Sequence, residues 1–250
     1  MPVYQAILFD LFDTLVLFQR ERLPLVRIDG QMVHTTAGYL YPVLKEDFPQ
    51  VSLEAFYQAL VASWQEAERR RNLDHREVSA PERLRILFER LEVAADDVPP
   101  GVIDRLLAVH GRHFSEAAWF PPEHLSLVRG LKGRYRLGVV SNFDYTPTAE
   151  RVLGEAGLLP LFETIVISDR VGWRKPSPII FREALGRLGL NPGEALFVGD
   201  RPEIDILGAK QVGLAAAWVN PRAEPIPEGV PAPDYELRAL PELLSVLGDE

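Results

Sequence analysis

Short apolar runs that stop abruptly at polar residues recur along this chain. They are YQAILFD (4–10), RLGVVS (136–141), ETIVIS (163–168), EALFVGD (194–200) and LAAAWVN (214–220). Within each run the apolar residues are consecutive rather than alternating. A strand shows that pattern when both of its faces are covered, as in a parallel sheet. The stretches between the later runs carry helical spacing, at 146–156, 178–188 and 204–212. Strand, helix, strand in repetition predicts an α/β core with a doubly wound, Rossmann-like parallel sheet. After a Pro-rich loop at 221–233, a short strand near Tyr235 and a helix over 240–247 close the pattern.

Residues 17–120 break that rhythm. Ser52 precedes LEAFYQALVASWQEAERRR, in which Leu53, Phe56, Leu60 and Trp64 share one helical face. The run 68–71 (Glu-Arg-Arg-Arg) reads as a solvated part of that helix. Ser79-Ala80-Pro81-Glu82 has capping-box spacing and opens a second helix with Leu84, Leu87, Phe88 and Leu91 inward. Pro99-Pro100 precedes a third, through Ile103, Leu106, Leu107 and His110. Before them, RLPLVRIDGQMVHTT (22–36) predicts a hairpin turning at Asp29-Gly30, since Asp-Gly suits a type I′ turn. Residues 117–122, with Pro121-Pro122, read as the linker back to the sheet. The expected organisation is a core of residues 1–16 and 121–250 with a helical domain, 17–120, inserted in it.

Composition narrows the function classes. With 250 residues and 47 % hydrophobic content there is ample material for a core. A net charge of −9 argues against nucleic-acid or anionic-membrane binding, which needs a basic face. An anionic small molecule needs only a local cluster of donors and stays open. The absence of cysteine excludes disulfides, thiolate catalysis and zinc–thiolate sites. No apolar run approaches the roughly 18 residues of a membrane span, and no secretory pattern opens the chain. The expectation is a cytoplasmic protein, monomer or homodimer, acting on a small molecule.

In an open parallel sheet, ligands bind beyond the carboxyl ends of the strands. Those ends carry Asp10, Ser141-Asn142, Ser168-Asp169 and Gly199-Asp200. Lys175 follows the third strand on a loop stiffened by Pro176 and Pro178, and Asp205 lies five residues beyond Asp200. Asp144 and Asp169 read as loop and capping residues. The five histidines, at 34, 75, 110, 113 and 124, show no ligand spacing.

This set resembles the haloacid dehalogenase-like superfamily in four ordered motifs. They are FDLFDTL with Asp10, VVSNFD with Ser141, VGWRKPSPIIF with Lys175, and FVGDRPEID with Asp200 and Asp205. The resemblance covers nearly the whole chain and implies that the helical insert is the family's α-helical cap. It also implies Asp10 as nucleophile, with Lys175 and Ser141 holding the transferring oxygens. Thr14 and Asn142 would assist in substrate binding. Mg²⁺ would sit on Asp10, Asp200, Asp205 and the backbone carbonyl of Phe12. The chemistry is coherent. A carboxylate is already an anion at neutral pH and can attack directly. A hard cation with oxygen ligands relieves its repulsion from a phosphate.

One position departs from the family. Its phosphatases usually carry a second aspartate two residues after the nucleophile, to protonate the leaving alcohol and activate water. Here that residue is Phe12, which can do neither. Asp13 occupies a position where the family often has Gly, so a left-handed backbone and an outward side chain are expected of it. Three readings follow. The first is a Mg²⁺-dependent phosphatase of small phosphorylated metabolites, suited to good leaving groups. The second is a 2-haloacid dehalogenase, whose halide needs no proton and whose mechanism needs no metal. That reading needs a cap arginine, with Arg20, Arg22 and Arg27 as candidates. The third is a catalytically weak phosphate-binding protein.

Overall fold

The computed structural model describes residues 4–248. Six strands form one sheet, in the spatial order Tyr235–Leu237, Ala215–Val219, Ala195–Gly199, Ala6–Phe9, Arg136–Ser141, Thr164–Ile167. Every pairing in it is parallel. The strands fall where the apolar runs predict them. Successive residues of a strand face opposite sides, yet Ala6, Ile7, Leu8 and Phe9 are all 0 % exposed. Both faces are therefore covered, which is why these runs do not alternate. On one face, Ile180, Phe181, Ala184 and Leu185 of the Pro178–Leu188 helix pack against Leu8, Val140, Val166 and Phe197. Burying each of the larger of these side chains contributes about 1.5–3 kcal/mol. The first strand in sequence lies inside the sheet, with later strands added on either side. That makes its carboxyl end a topological switch point, the place where such sheets open a crevice.

The chain divides into two compact units. One holds residues up to 17, 120–143 and 153 onward, and so contains the sheet. The other holds 18–119 together with 144–152, and is helical. In the helical unit, Ser52 caps the Leu53–Asp74 helix by accepting from Ala55 N, and Ser79 caps Ala80–Arg90 by accepting from Glu82 N. The Val102–Ala117 helix completes a core with Phe56, Leu84, Phe88, Leu106 and Leu107. The hairpin is present as Leu25–Ile28 and Gln31–His34, and Asp29 and Gly30 both take positive φ (48° and 79°), as a type I′ turn requires.

Several features differ from the sequence reading. Ala37–Asp47 is a helix despite Pro42 within it. The expected linker, 117–122, ends at Pro122, which opens a helix, Pro122–Leu131, absent from the sequence reading. Its prolines start the helix rather than break it, because Pro at the first position loses no hydrogen bond. The 204–212 helix begins as a π-turn, Pro202–Ile206, before Leu207–Gln211. Trp64 is 55 % exposed, and the buried stripe of its helix is Phe56, Ala59, Ser63, Ala67 and Arg71. Arg71 is thus not part of a solvated face. Its guanidinium pairs with Glu68, Glu77 and Asp144. No helix among the described residues is long and apolar enough to cross a membrane.

Candidate active site

The site collects at the carboxyl ends of the central strands. Asp10 ends the first strand, and its N–H donates to Val198 O of the neighbouring strand at 2.9 Å. The chain then turns tightly, with Asp13 in the left-handed region (φ 63°) and its N–H donating to Val16 O. Asp tolerates that conformation better than most residues, because its short side chain bonds locally. Asp13 is exposed, on the wall of a groove of about 730 Å³ that Thr14, Asp200, Arg201 and Trp218 also line.

Lys175 arrives on the loop after the Thr164–Ile167 strand, ahead of a cis peptide to Pro176. Its Nζ, 3 % exposed as a residue, lies 2.5 Å from Asp10 Oδ1 and 2.7 Å from Asp205 Oδ1. Burial by itself would lower the Lys175 pKa. The two carboxylates outweigh that and raise it, so the ammonium is held charged. Asn142 fixes this loop. Its amide nitrogen donates to Lys175 O (2.9 Å), and its amide oxygen accepts from Lys175 N (2.7 Å). Ser141 ends its strand 1 % exposed.

Asp200 and Asp205 complete the cluster. Asp205 Oδ2 accepts from Arg201 N at 3.0 Å, while Asp205 N donates to Arg201 O at 2.7 Å. The π-turn thereby tucks Asp205 under Gly199. A Cβ at Gly199 would meet Asp205 Cγ at 2.5 Å, so only glycine fits there. Thr14 Oγ1 lies 3.4 Å from Asp10 Oδ2 and 3.2 Å from Asp200 Oδ1, a single hydroxyl donor shared between two carboxylates. Trp218 escapes the sequence reading, and Ser168 enters it only as a strand-end residue without a stated contact. Trp218 Nε1 donates to Asp200 O (2.9 Å), and Ser168 Oγ accepts from Phe143 N (2.9 Å). Trp218 sits at the end of the fifth apolar run, the only sequence signal that could have marked it.

One ligand oxygen each from Asp10, Asp200 and Asp205 lies within 4.8 Å of the others. Burial raises the Asp10 carboxyl to about 6, with Lys175 opposing and Asp205 adding to the rise. Burial, then Asp10 and Asp205, push Asp200 up to about 8. One ammonium does not neutralise three crowded carboxylates. An oxygen-only donor set with surplus negative charge fits a hard cation such as Mg²⁺. Phe12 brings no proton-transfer group. Its ring stacks on Phe143, with centroids 4.8 Å apart and tilted by 31°.

The chain is similar to several known proteins. A family model described as haloacid dehalogenase-like hydrolase matches residues 4–213. Glyceraldehyde 3-phosphate phosphatase of Pyrococcus furiosus is 34 % identical over 166 residues, covering 66 % of this chain and 68 % of that protein. The structure of a HAD phosphatase from Thermococcus onnurineus superposes with a TM-score of 0.64 at 26 % identity, covering 98 % of this chain and 99 % of that one. A 2-haloacid dehalogenase from Pseudomonas syringae pv. Tomato does so at 0.69 and 25 % identity, covering 98 % of each.

Proposed function

As this chain belongs to the haloacid dehalogenase-like hydrolases, we propose that it is a Mg²⁺-dependent phosphatase of a small phosphorylated metabolite, working through a phosphorylated Asp10. The observation that carries this reading is the cluster of Asp10, Asp200 and Asp205 beside Lys175. Displacing a halide needs no metal, so a carboxylate set able to hold one favours phosphoryl transfer. The chain's likeness to glyceraldehyde 3-phosphate phosphatase supports the same reaction class.

Asp10 Oδ attacks phosphorus as the bond to the leaving oxygen breaks. Water then attacks the same phosphorus, releasing phosphate and restoring the Asp10 carboxylate. Lys175 orients the nucleophile and balances the charge of the transferring oxygens, and Ser141 holds one of them. Mg²⁺ on Asp10, Asp200 and the Phe12 carbonyl would offset the repulsion between carboxylate and phosphate. Both Asp205 oxygens are engaged, one by Lys175 and one by Arg201 N. We therefore read Asp205 chiefly as the residue that holds Lys175. Thr14 and Asn142, whose polar atoms meet the carboxylates and the Lys175 backbone, act as positioning residues in this account. The helical unit is taken to be the cap, the part that selects the substrate. Because Phe12 cannot protonate a leaving alcohol, acyl phosphates and other good leaving groups are favoured.

A 2-haloacid dehalogenase is the second reading, favoured by Phe12 and by the likeness to the Pseudomonas syringae enzyme. Its candidate arginines, Arg20, Arg22 and Arg27, are exposed. A catalytically weak phosphate-binding protein would have no need of a nucleophile as closely paired as Asp10. Assays of p-nitrophenyl phosphate and acetyl phosphate, with Mg²⁺ and with EDTA, test the proposal. Mg²⁺-dependent phosphate release, faster with acetyl phosphate, is expected. EDTA-insensitive chloride release from 2-chloropropionate would overturn it in favour of the dehalogenase. Phosphate binding without turnover would favour the third reading.

A further inference from the structure

The three residues after the Ser141 strand end are each tied to something different. Asn142 clamps the Lys175 backbone through both ends of its amide. The Phe143 peptide is held by Ser168, whose hydroxyl accepts from Phe143 N and donates to Phe143 O, and by Asp169 N. The Phe143 ring stacks on Phe12, two residues from the nucleophile. Asp144, the next residue, belongs to the helical unit. Its carboxylate accepts from Arg83 Nε at 2.9 Å and lies 3.3 Å from an Arg71 nitrogen. Its carbonyl accepts from Ala80 N at 2.7 Å, at the start of the Ala80–Arg90 helix. Arg71 and Arg83 are 4 % and 8 % exposed, so these are enclosed ion pairs rather than surface contacts.

We infer that Asp144 is a positioning residue for the reaction, anchoring the chain to the helical unit's Arg71 and Arg83 so that Asn142 and Phe143 hold Lys175 and the Phe12 turn in place. Asn142 and Asp144 are two residues apart, so their Cα atoms are within about 7 Å of each other. A shift of the second therefore acts on the first through one intervening residue. Two buried guanidiniums are more than a loop residue needs to satisfy its carboxylate. The buried arginines would be costly to keep if they only capped a turn, since each must stay paired. The alternative is that the Ser168 lock on Phe143 insulates the site, leaving Asp144 with a structural role confined to the helical unit.

The kinetic half of this inference rests on the phosphatase reading; the structural half does not. The test compares wild type with Asp144→Asn and with Arg83→Met, which leaves Arg71 to pair with Asp144. Val102→Ala, in the same helical core but outside this contact set, controls for general loosening. Amide hydrogen exchange is followed on peptides covering 172–177 and 195–199, and acetyl phosphate turnover with Mg²⁺ is measured alongside. Exchange over 172–177 is expected to rise roughly tenfold in Asp144→Asn and Arg83→Met, with 195–199 unchanged and Val102→Ala like wild type. The kcat is expected to fall roughly 10- to 100-fold with KM nearly constant, as misplaced catalytic groups cause. Unchanged exchange over 172–177, or a rise matched at 195–199 or in Val102→Ala, overturns the inference. If wild type turns over no phosphate, the phosphatase reading fails and the exchange pattern still decides this one.

Discussion

At Phe12 the site presents an aromatic ring where a proton donor would serve ester hydrolysis. The ring is held by Phe143 rather than left loose, so the position has a fixed role in packing the turn around Asp10. A general acid typically contributes about 10²–10⁴-fold, and only where the leaving group needs a proton. Phe12→Asp should therefore accelerate an alkyl phosphate by a factor in that range while changing acetyl phosphate little. The ratio of the two rates in one preparation is the measurement, because a general loss of packing lowers both together. Equal effects on both substrates would show that Phe12 does not limit the reaction. The neighbouring Asp13 has a left-handed backbone and an exposed side chain.

At the scale of elements, the π-turn after Asp200 decides the geometry. It lets Asp205 reach both Arg201 N and Lys175, and it works only because Gly199 leaves room. Gly199→Ala places a Cβ about where Asp205 Cγ lies, so either the strand end or Asp205 must move. Activity should fall at least about 10²-fold, the usual loss when a positioned group shifts by 1 Å. Thermal melting should show whether the fold survives that change; full activity would mean Asp205 is not needed where it stands. The sheet itself is legible in the sequence, since strands covered on both faces leave continuous apolar runs. Asp10 and Asp200 are legible as strand-end polar residues, and Lys175 and Asp205 as polar residues on the segments that follow strands; the structure brings all four together. The helical unit reads less well. Pro42 hides the Ala37–Asp47 helix, and Pro121-Pro122 looks like a linker but starts one. Arg71 reads as solvent-facing because its partners, Glu77 and Asp144, come from elsewhere in the chain. What Thr14 and Asn142 touch depends on contacts 186 and 33 residues away in sequence, which no local pattern encodes.

Across the whole molecule, charge links stability to pH in opposing ways. Asp10 and Asp200 have pKa values raised to about 6 and about 8 in the folded protein. A group raised on folding contributes stability that is full below its unfolded pKa, near 4, and is lost as pH rises through the folded value. His110 is the reverse: burial, with Arg83 adding, lowers it to about 4. Its contribution is full above about 6.5 and is lost as pH falls toward 4. Metal-free protein should thus lose stability toward pH 8 through its carboxylates and toward pH 4 through His110. Mg²⁺ favours the deprotonated cluster, so it should raise the melting temperature clearly at pH 8 and little at pH 5. Asp200→Asn should abolish that Mg²⁺ shift and stabilise the metal-free protein at pH 8. An equal Mg²⁺ shift at both values would mean that the cation binds elsewhere.

The central claim is that Asp10 carries the phosphoryl group. Protein mixed with acetyl phosphate and Mg²⁺, quenched in acid within the first turnovers and digested, can be read by mass spectrometry on the peptide containing Asp10. The account predicts one phosphoryl group on Asp10, lost with EDTA and absent from Asp10→Asn. Turnover with no adduct there, an adduct on another residue, or a metal-independent ester formed at Asp10 from 2-chloropropionate would contradict it.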